Sequence, residues 1–342
     1  MSRVMVFSAN QFSVGELTTL VDRGWMLAGN PAVAGGGSTT LSLTNDQAAL
    51  NYLQFGRMVL VTHERLPNWA GMLDTPWNFM PPVSVAAYNA EYLLSLRTPE
   101  APVTLTGSVG NLAAQILDMF NRYDDLAVRI GDTSKADPTP RTETLDGRNF
   151  WEQLTAIIAR AGCEMLARPE KDASGRLVIY LDIATRLGID TNFLYSDGPN
   201  GNATFSNGVL NGPIYNRVIG TGDESGAVSR LRTRPFLNEA SSTAYRMRSQ
   251  TVQFRGVTEL STLEQYTQNY TNYYGTPKFS FLMNVLDKGD AFQNIRLGNT
   301  VLVHISQAYL PGGIQGLRGT ARVLAMAYTE GQNLLTVKAE LL

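Results

Sequence analysis

A chain of 342 residues exceeds the usual span of one compact core, so two or three packed units are expected. Its 44% hydrophobic and 17% charged residues exclude a disordered or fibrous protein, and a formal net charge of -2 argues against a general affinity for nucleic acid or anionic membrane. The single cysteine, Cys163, excludes an intramolecular disulfide and suits a reducing site of folding.

The opening Met1-Ser-Arg-Val-Met-Val-Phe7 lacks an apolar signal core and reads as a strand. No apolar run approaches the roughly 20 residues that cross a bilayer, so neither an export signal nor a membrane anchor is expected. Short strands continue to residue 105. Trp25-Met-Leu27, Leu41-Ser-Leu43, Met58-Val-Leu-Val-Thr62, Trp69-Ala-Gly-Met-Leu73 and Val83-Ser-Val-Ala-Ala87 are apolar or alternating stretches. Gly35-Gly-Gly-Ser38 reads as a flexible loop, and Pro67, Pro76, Pro81 and Pro82 punctuate strand ends. Many short strands with Gly/Pro turns predict a barrel or sandwich.

The period then becomes helical. Ser108 stands where an N-cap belongs, and Leu112, Ile116, Leu117 and Phe120 share one face. After a loop over 131–145, Phe150, Leu154, Ile157, Ile158 and Ala161 form a second apolar face that Gly162 can end. Residues 177–183 follow the turn at Asp172-Ala-Ser-Gly175 as a strand. Strands are expected again at 215–219 and 245–254. One helix is predicted over 258–274 with Thr258 or Ser261 as its cap. The last strands fall at 278–286, 300–305, 321–328 and 334–341. The predicted fold is α+β, mainly β: a first β-barrel from residues 1–105 with 205–255, an α/β insertion over 106–204, and a second β-barrel with its preceding helix over 256–342.

Catalytic and metal chemistry find little support. There are two histidines, His63 and His304. His63-Glu64 begins like a zinc-protease helix, but Pro67 stands where the second histidine belongs. His304 sits inside an apolar strand, and Cys163 reads as a packed core thiol. Gly220-Thr-Gly222-Asp-Glu-Ser-Gly226 resembles a dinucleotide loop, but its third glycine comes one position late and no helix follows. Asp124-Asp125 reads as a solvated pair, since neighbours at a helix end point apart. No catalytic residue, cofactor site or metal site is assigned, and the chain is expected not to be an enzyme. Tyr266, Tyr270, Tyr273 and Tyr274 could form a sugar-binding platform; their helical spacing is better explained by packing on a sheet. The unusual charge feature is Arg230, Arg232, Arg234, Arg246, Arg248 and Arg255, with Glu239 the only acid between Gly226 and Gly256. These arginines are interface candidates, for an acidic neighbouring subunit or for phosphates, against a plain solvated surface.

The order of elements carries a resemblance. Phe150-Trp-Glu-Gln-Leu-Thr-Ala-Ile-Ile-Ala-Arg-Ala-Gly-Cys-Glu164 is similar to a helix of phage tail hub proteins, with an aromatic start and an Ala-Gly end. A Gly-turn strand follows at 176–183, then Tyr215-Asn-Arg-Val218, a long loop, and a strand running into a helix over 245–274. A strand at 279–286, Leu297-Gly-Asn-Thr-Val301 and a final hairpin over 321–341 close the series. The chain thus resembles, over residues 100–342, the two-barrel tail-tip or baseplate hub proteins of phages and contractile injection systems. The resemblance implies a homotrimeric ring that adapts a six-fold tail tube to the tail tip and leaves a channel for DNA. Implied partners are a tail tube or distal tail protein, a tip or spike protein and the tape measure protein. DNA is met only in transit, and no stable membrane association is implied. The implied location is the virion tail tip or baseplate, after synthesis in the bacterial cytoplasm. Alternatives are a tail-tip protein that binds or degrades cell wall or polysaccharide, and another β-barrel virion adaptor.

Overall fold

The computed structural model describes residues 2–17, 20–28, 38–43, 51–78, 83–122, 128–211, 213–223, 230–310 and 314–342. The glycines of the 35–38 loop, Pro81, Pro82, the Asp124-Asp125 pair and Gly226 lie outside them. With 46% strand against 19% helix, the chain is mainly β. No helix among the described residues is long and apolar enough to cross a membrane.

The first unit contains β1 (Arg3–Phe7), β2 (Ser13–Leu17), β3 (Leu20–Met26), β4 (Ser38–Leu43), β5 (Met58–Thr62), β6 (Trp69–Asn78) and β7 (Val83–Tyr88). They hydrogen-bond in the order β3-β4-β7-β6-β5-β1-β2, every pair antiparallel. The continuous apolar runs of β1 and β5 follow from burial on both faces. Val4, Val6, Val59 and Val61 face the main core. Met5, Phe7, Met58 and Leu60 face a second core on the other side of the sheet.

α1 (Ala90–Ser95) follows, where only strand was expected. The insertion then builds β8 (Val103–Gly107), α2 (Val109–Phe120), β9 (Val128–Ile130), β10 (Arg141–Leu145), α3 (Phe150–Arg160), β11 (Glu164–Lys171) and β12 (Leu177–Ala184). Ser108 caps α2 as expected, its hydroxyl accepting from Asn111 N at 3.4 Å. Asn149 caps α3, accepting from Glu152 N at 2.9 Å and donating back to Glu152 Oε1 at 2.9 Å. The predicted apolar faces of both helices fill the second core against β1, β5 and β6.

The remaining elements are β13 (Asp190–Ser196), β14 (Ala203–Asn211), β15 (Arg217–Thr221), β16 (Phe236–Leu237), α4 (Glu239–Tyr245), β17 (Ser249–Gln253), α5 (Leu260–Tyr274), β18 (Lys278–Val285), α6 (Ala291–Asn294), β19 (Thr300–Leu310), β20 (Ile314–Thr329) and β21 (Leu334–Leu341). The second barrel runs β13-β19-β20-β21-β18-β14. Its two ends meet through Asn202, whose side chain accepts from Ser196 N and donates to Leu194 O, each at 3.0 Å. β20 also pairs with β3, so one 13-stranded sheet joins both units.

The pairing departs from the expected boundaries. Residues 205–255 do not complete the first barrel. β14 pairs with β18, where Phe205 packs on Phe281 at 5.7 Å between ring centroids. β16-β15-β17 form a separate sheet. Residues 190–204 leave the insertion for the second barrel because Tyr195 is buried in the main core, its hydroxyl donating to Ala291 O at 2.7 Å. α5 begins at Leu260 after Glu259, and neither Thr258 nor Ser261 caps it. Packing of Thr262 and Leu263 holds its first turn instead.

Candidate functional site

The six arginines expected as interface candidates lie on the small sheet β16-β15-β17 and its flanks. All six are exposed. Among the described residues, none of their guanidinium groups is ion-paired, although the charge of Arg255 reaches Asp146. The sheet divides them into two sets. Arg230, Arg232 and Arg234 follow one edge of β15, where Arg232 bridges Thr221 and β16 pairs with Arg217 and Val218. Arg246 and Arg248 precede β17 on the opposite edge, and Arg255 follows it. Arg234 also lies over the Phe236 ring, 5.9 Å from its centroid.

Asn216, in the Tyr215-Asn-Arg-Val218 motif, explains how this surface is held. It is wholly buried. Its Oδ1 accepts from Arg248 N at 2.8 Å, and its Nδ2 donates to Arg246 O at 2.8 Å and Ser241 Oγ at 3.2 Å. One amide side chain thus replaces the missing ladder partners of the 246–248 turn. Within that turn Arg246 has φ 62° and ψ 155°. This conformation is nearly reserved for glycine and costs on the order of 1–3 kcal/mol. Met247, between the two arginines, is 64% exposed. The alternation Arg-Met-Arg was the available sequence signal for this outward turn.

The tyrosine stripe divides along α5. Tyr266 is fully buried, and its hydroxyl donates to Glu143. Burial pushes the Tyr266 phenol well above its ordinary range, with Glu143 adding to the shift. Glu143 is itself raised by burial, which outweighs Arg160 at 3.2 Å. Tyr270 donates to Gln250 Oε1 of β17 at 3.0 Å. Packing therefore explains the first two rings. Tyr273 and Tyr274 are half-buried and open onto a cleft of about 380 Å³ between α3, α5 and the end of β17. Its walls include Arg160, Val252, Phe254 and Asn269, which sequence reasoning missed because they come together only in the fold.

Cys163 is buried, which raises its thiol. His63 lies beyond β5 in a loop, accepts from Arg65 N at 3.1 Å, and is lowered by burial. His304 stands in β19 opposite Arg318. Gly220 lies in β15 because α5 packs directly on it: an added Cβ would meet Thr267 Oγ1 at 2.0 Å.

No protein-family model matches this chain, and no curated protein matches it. Solved structures do. A prophage tail protein, gp18, from Listeria monocytogenes aligns with TM-score 0.59 at 13% identity, covering 98% of this chain and 94% of that one. The 43 kDa tail protein of prophage MuSo2 from Shewanella oneidensis gives 0.59 at 13% identity, with 99% and 98% covered. A tail protein from Neisseria meningitidis gives 0.57 at 13% identity, with 99% and 95% covered. Over nearly its whole length, the chain has the fold of these three tail proteins.

Proposed function

We propose that this chain is a structural tail protein, the hub that joins a phage-type tail tube to its tip. The observation that carries the reading is end-to-end agreement of fold with three tail proteins, two of them from prophages, both barrels and the insertion included. Three copies, each with two barrels, give a six-part ring suited to a six-fold tube above and a three-fold tip below. Closed barrels present few free strand edges, which suits a rigid adaptor. The partners are a tube or distal tail protein, a tip or spike protein and the tape measure protein, within the virion tail. DNA passes through the central channel without being held, and the chain performs no catalysis.

The exposed arginines support an assembly role. A guanidinium fork binds carboxylates bidentately, and six fixed phosphate contacts per subunit would retard passing DNA. Most of these arginines therefore face neighbouring subunits or solvent rather than the lumen. Particles produced without this chain are expected to lack complete tails, and supplying it in trans should restore them. Complete, infective tails formed in its absence would overturn the reading.

A further inference from the structure

We propose that the free edge of β17, with the tyrosine-lined cleft beside it, docks an extended acidic segment of a partner protein as an added strand. This rests on the reading of the chain as an assembly component and specifies one surface and the chemistry that fills it.

The edge itself is the first observation. Among the described residues, β17 pairs in parallel with β15 along one side only. Its sequence, Ser-Gln-Thr-Val-Gln, has no charge and no proline, and its register with β15 has no bulge. Natural edges are usually blunted by one of those devices because an unpaired row of N–H and C=O groups invites another strand. Along β17 the side chains of Gln250 and Val252 turn inward and those of Ser249, Thr251 and Gln253 are exposed.

The cleft is the second observation. It opens where β17 ends, walled by Val252 and Phe254 on one side and by Tyr270, Tyr273 and Arg160 on the others. A strand added at this edge would alternate its side chains, and those on the inner face would reach the cleft. Its aromatic walls suit an apolar side chain there.

Charge selects the partner. Arg246 and Arg248 stand exposed at one end of the edge and Arg255 at the other, so an incoming strand meets cations at both ends. An acidic segment gains a charge-assisted contact at each. Arg246 carries the strained backbone of this turn, and Met247 adds exposed apolar surface beside it. A second copy of this chain fits poorly, because pairing two β17 edges sets arginine against arginine. A neutral sugar fits poorly too: Tyr270 and Tyr274 lie against one another, 4.3 Å between ring centroids, instead of spreading as a platform.

The test uses the full chain and a fluorescent, end-capped peptide of about seven residues, long enough to cover the strand, alternating Glu and Val. Saturable binding is expected, weakened by salt. Hydrogen exchange of the edge-facing amides of Ser249, Thr251 and Gln253 should slow by about tenfold at saturation, since those of Gln250 and Val252 already face β15. Arg246→Glu, Arg248→Glu and Arg255→Glu together should weaken binding by at least about tenfold while the melting temperature stays unchanged. Methylating alternate peptide nitrogens on the pairing side should abolish binding. Equal binding of the Lys-Val counterpart, binding without protection of those three edge-facing amides, or no saturable binding would each overturn the proposal. So would self-association through this edge, or displacement of the peptide by peptidoglycan oligosaccharides. Peptide binding and tail formation are separate readouts, so a failed docking surface and a failed tail role are told apart.

Discussion

Buried charge decides several residues that look ordinary in the sequence. Arg141 in β10 is 1% exposed and is held by Asp137, Thr139 O and the face of Tyr266. Burial alone would raise the Asp137 carboxyl. Bonds from the Thr139 hydroxyl and backbone, and from Arg141, outweigh it and leave Asp137 below the usual 3.8. A depressed carboxyl stabilises the fold above its unfolded value and loses that contribution as pH falls through its lower folded value. Asp137→Asn is therefore expected to cost about 3 kcal/mol near neutral pH, because it strands a buried guanidinium. The variant should also lose less further stability than the parent below about pH 4 in urea unfolding. An unchanged acid limb would contradict the assignment. None of this was legible beforehand: Arg-Thr-Glu-Thr-Leu reads as a polar loop end, and only tertiary closure by α5 buries it. Asn216 was legible as part of a motif, yet its role in holding the 246–248 turn needed the fold.

Elements were read best where a single physical signal dominated. The apolar runs of β1 and β5, and the 3.6-residue faces of α2 and α3 with their caps, follow from local chemistry. α4 was missed because Glu-Ala-Ser-Ser-Thr-Ala-Tyr has no apolar stripe and buries only Ser241. The Leu297-Gly-Asn turn shows its reason only in three dimensions. Gly298 has φ 78° and abuts Gly188, and a Cβ on Gly298 would meet Leu187 O at 2.6 Å. For the small sheet, the arginine set along β16 offers the direct element-scale test. Replacing Arg230, Arg232 and Arg234 together with Ala should change the stability of the isolated chain by less than about 0.5 kcal/mol, since exposed unpaired charges contribute little. Tail yield should fall sharply. Tails that assemble normally but eject DNA at an altered rate would place these side chains in the channel.

At the scale of the whole molecule, β20 is the joint. Its first part pairs with β19, and its later part pairs with β21 and β3. Just beyond it Glu330 accepts from Ser2 N at 2.6 Å and from Val21 N at 3.1 Å. Arg23 lies buried beside it between Trp25 and Tyr328, and burial pushes its guanidinium down to about 10. The insertion is tied to the second barrel by Glu164, which takes Arg322 and Leu187 N. Both barrels could be anticipated from the strand pattern, whereas their union in one sheet could not, because only residues 321–328 of β20 read as a strand and nothing local marks its pairing with β3. A two-barrel unit suits the symmetry adaptor proposed above, and the copy number in the particle tests that proposal most directly. A cryo-EM map of the intact tail should contain three copies of this chain in a pierced ring at the distal end of the tube. One copy, six copies, or absence from the tail would contradict the account.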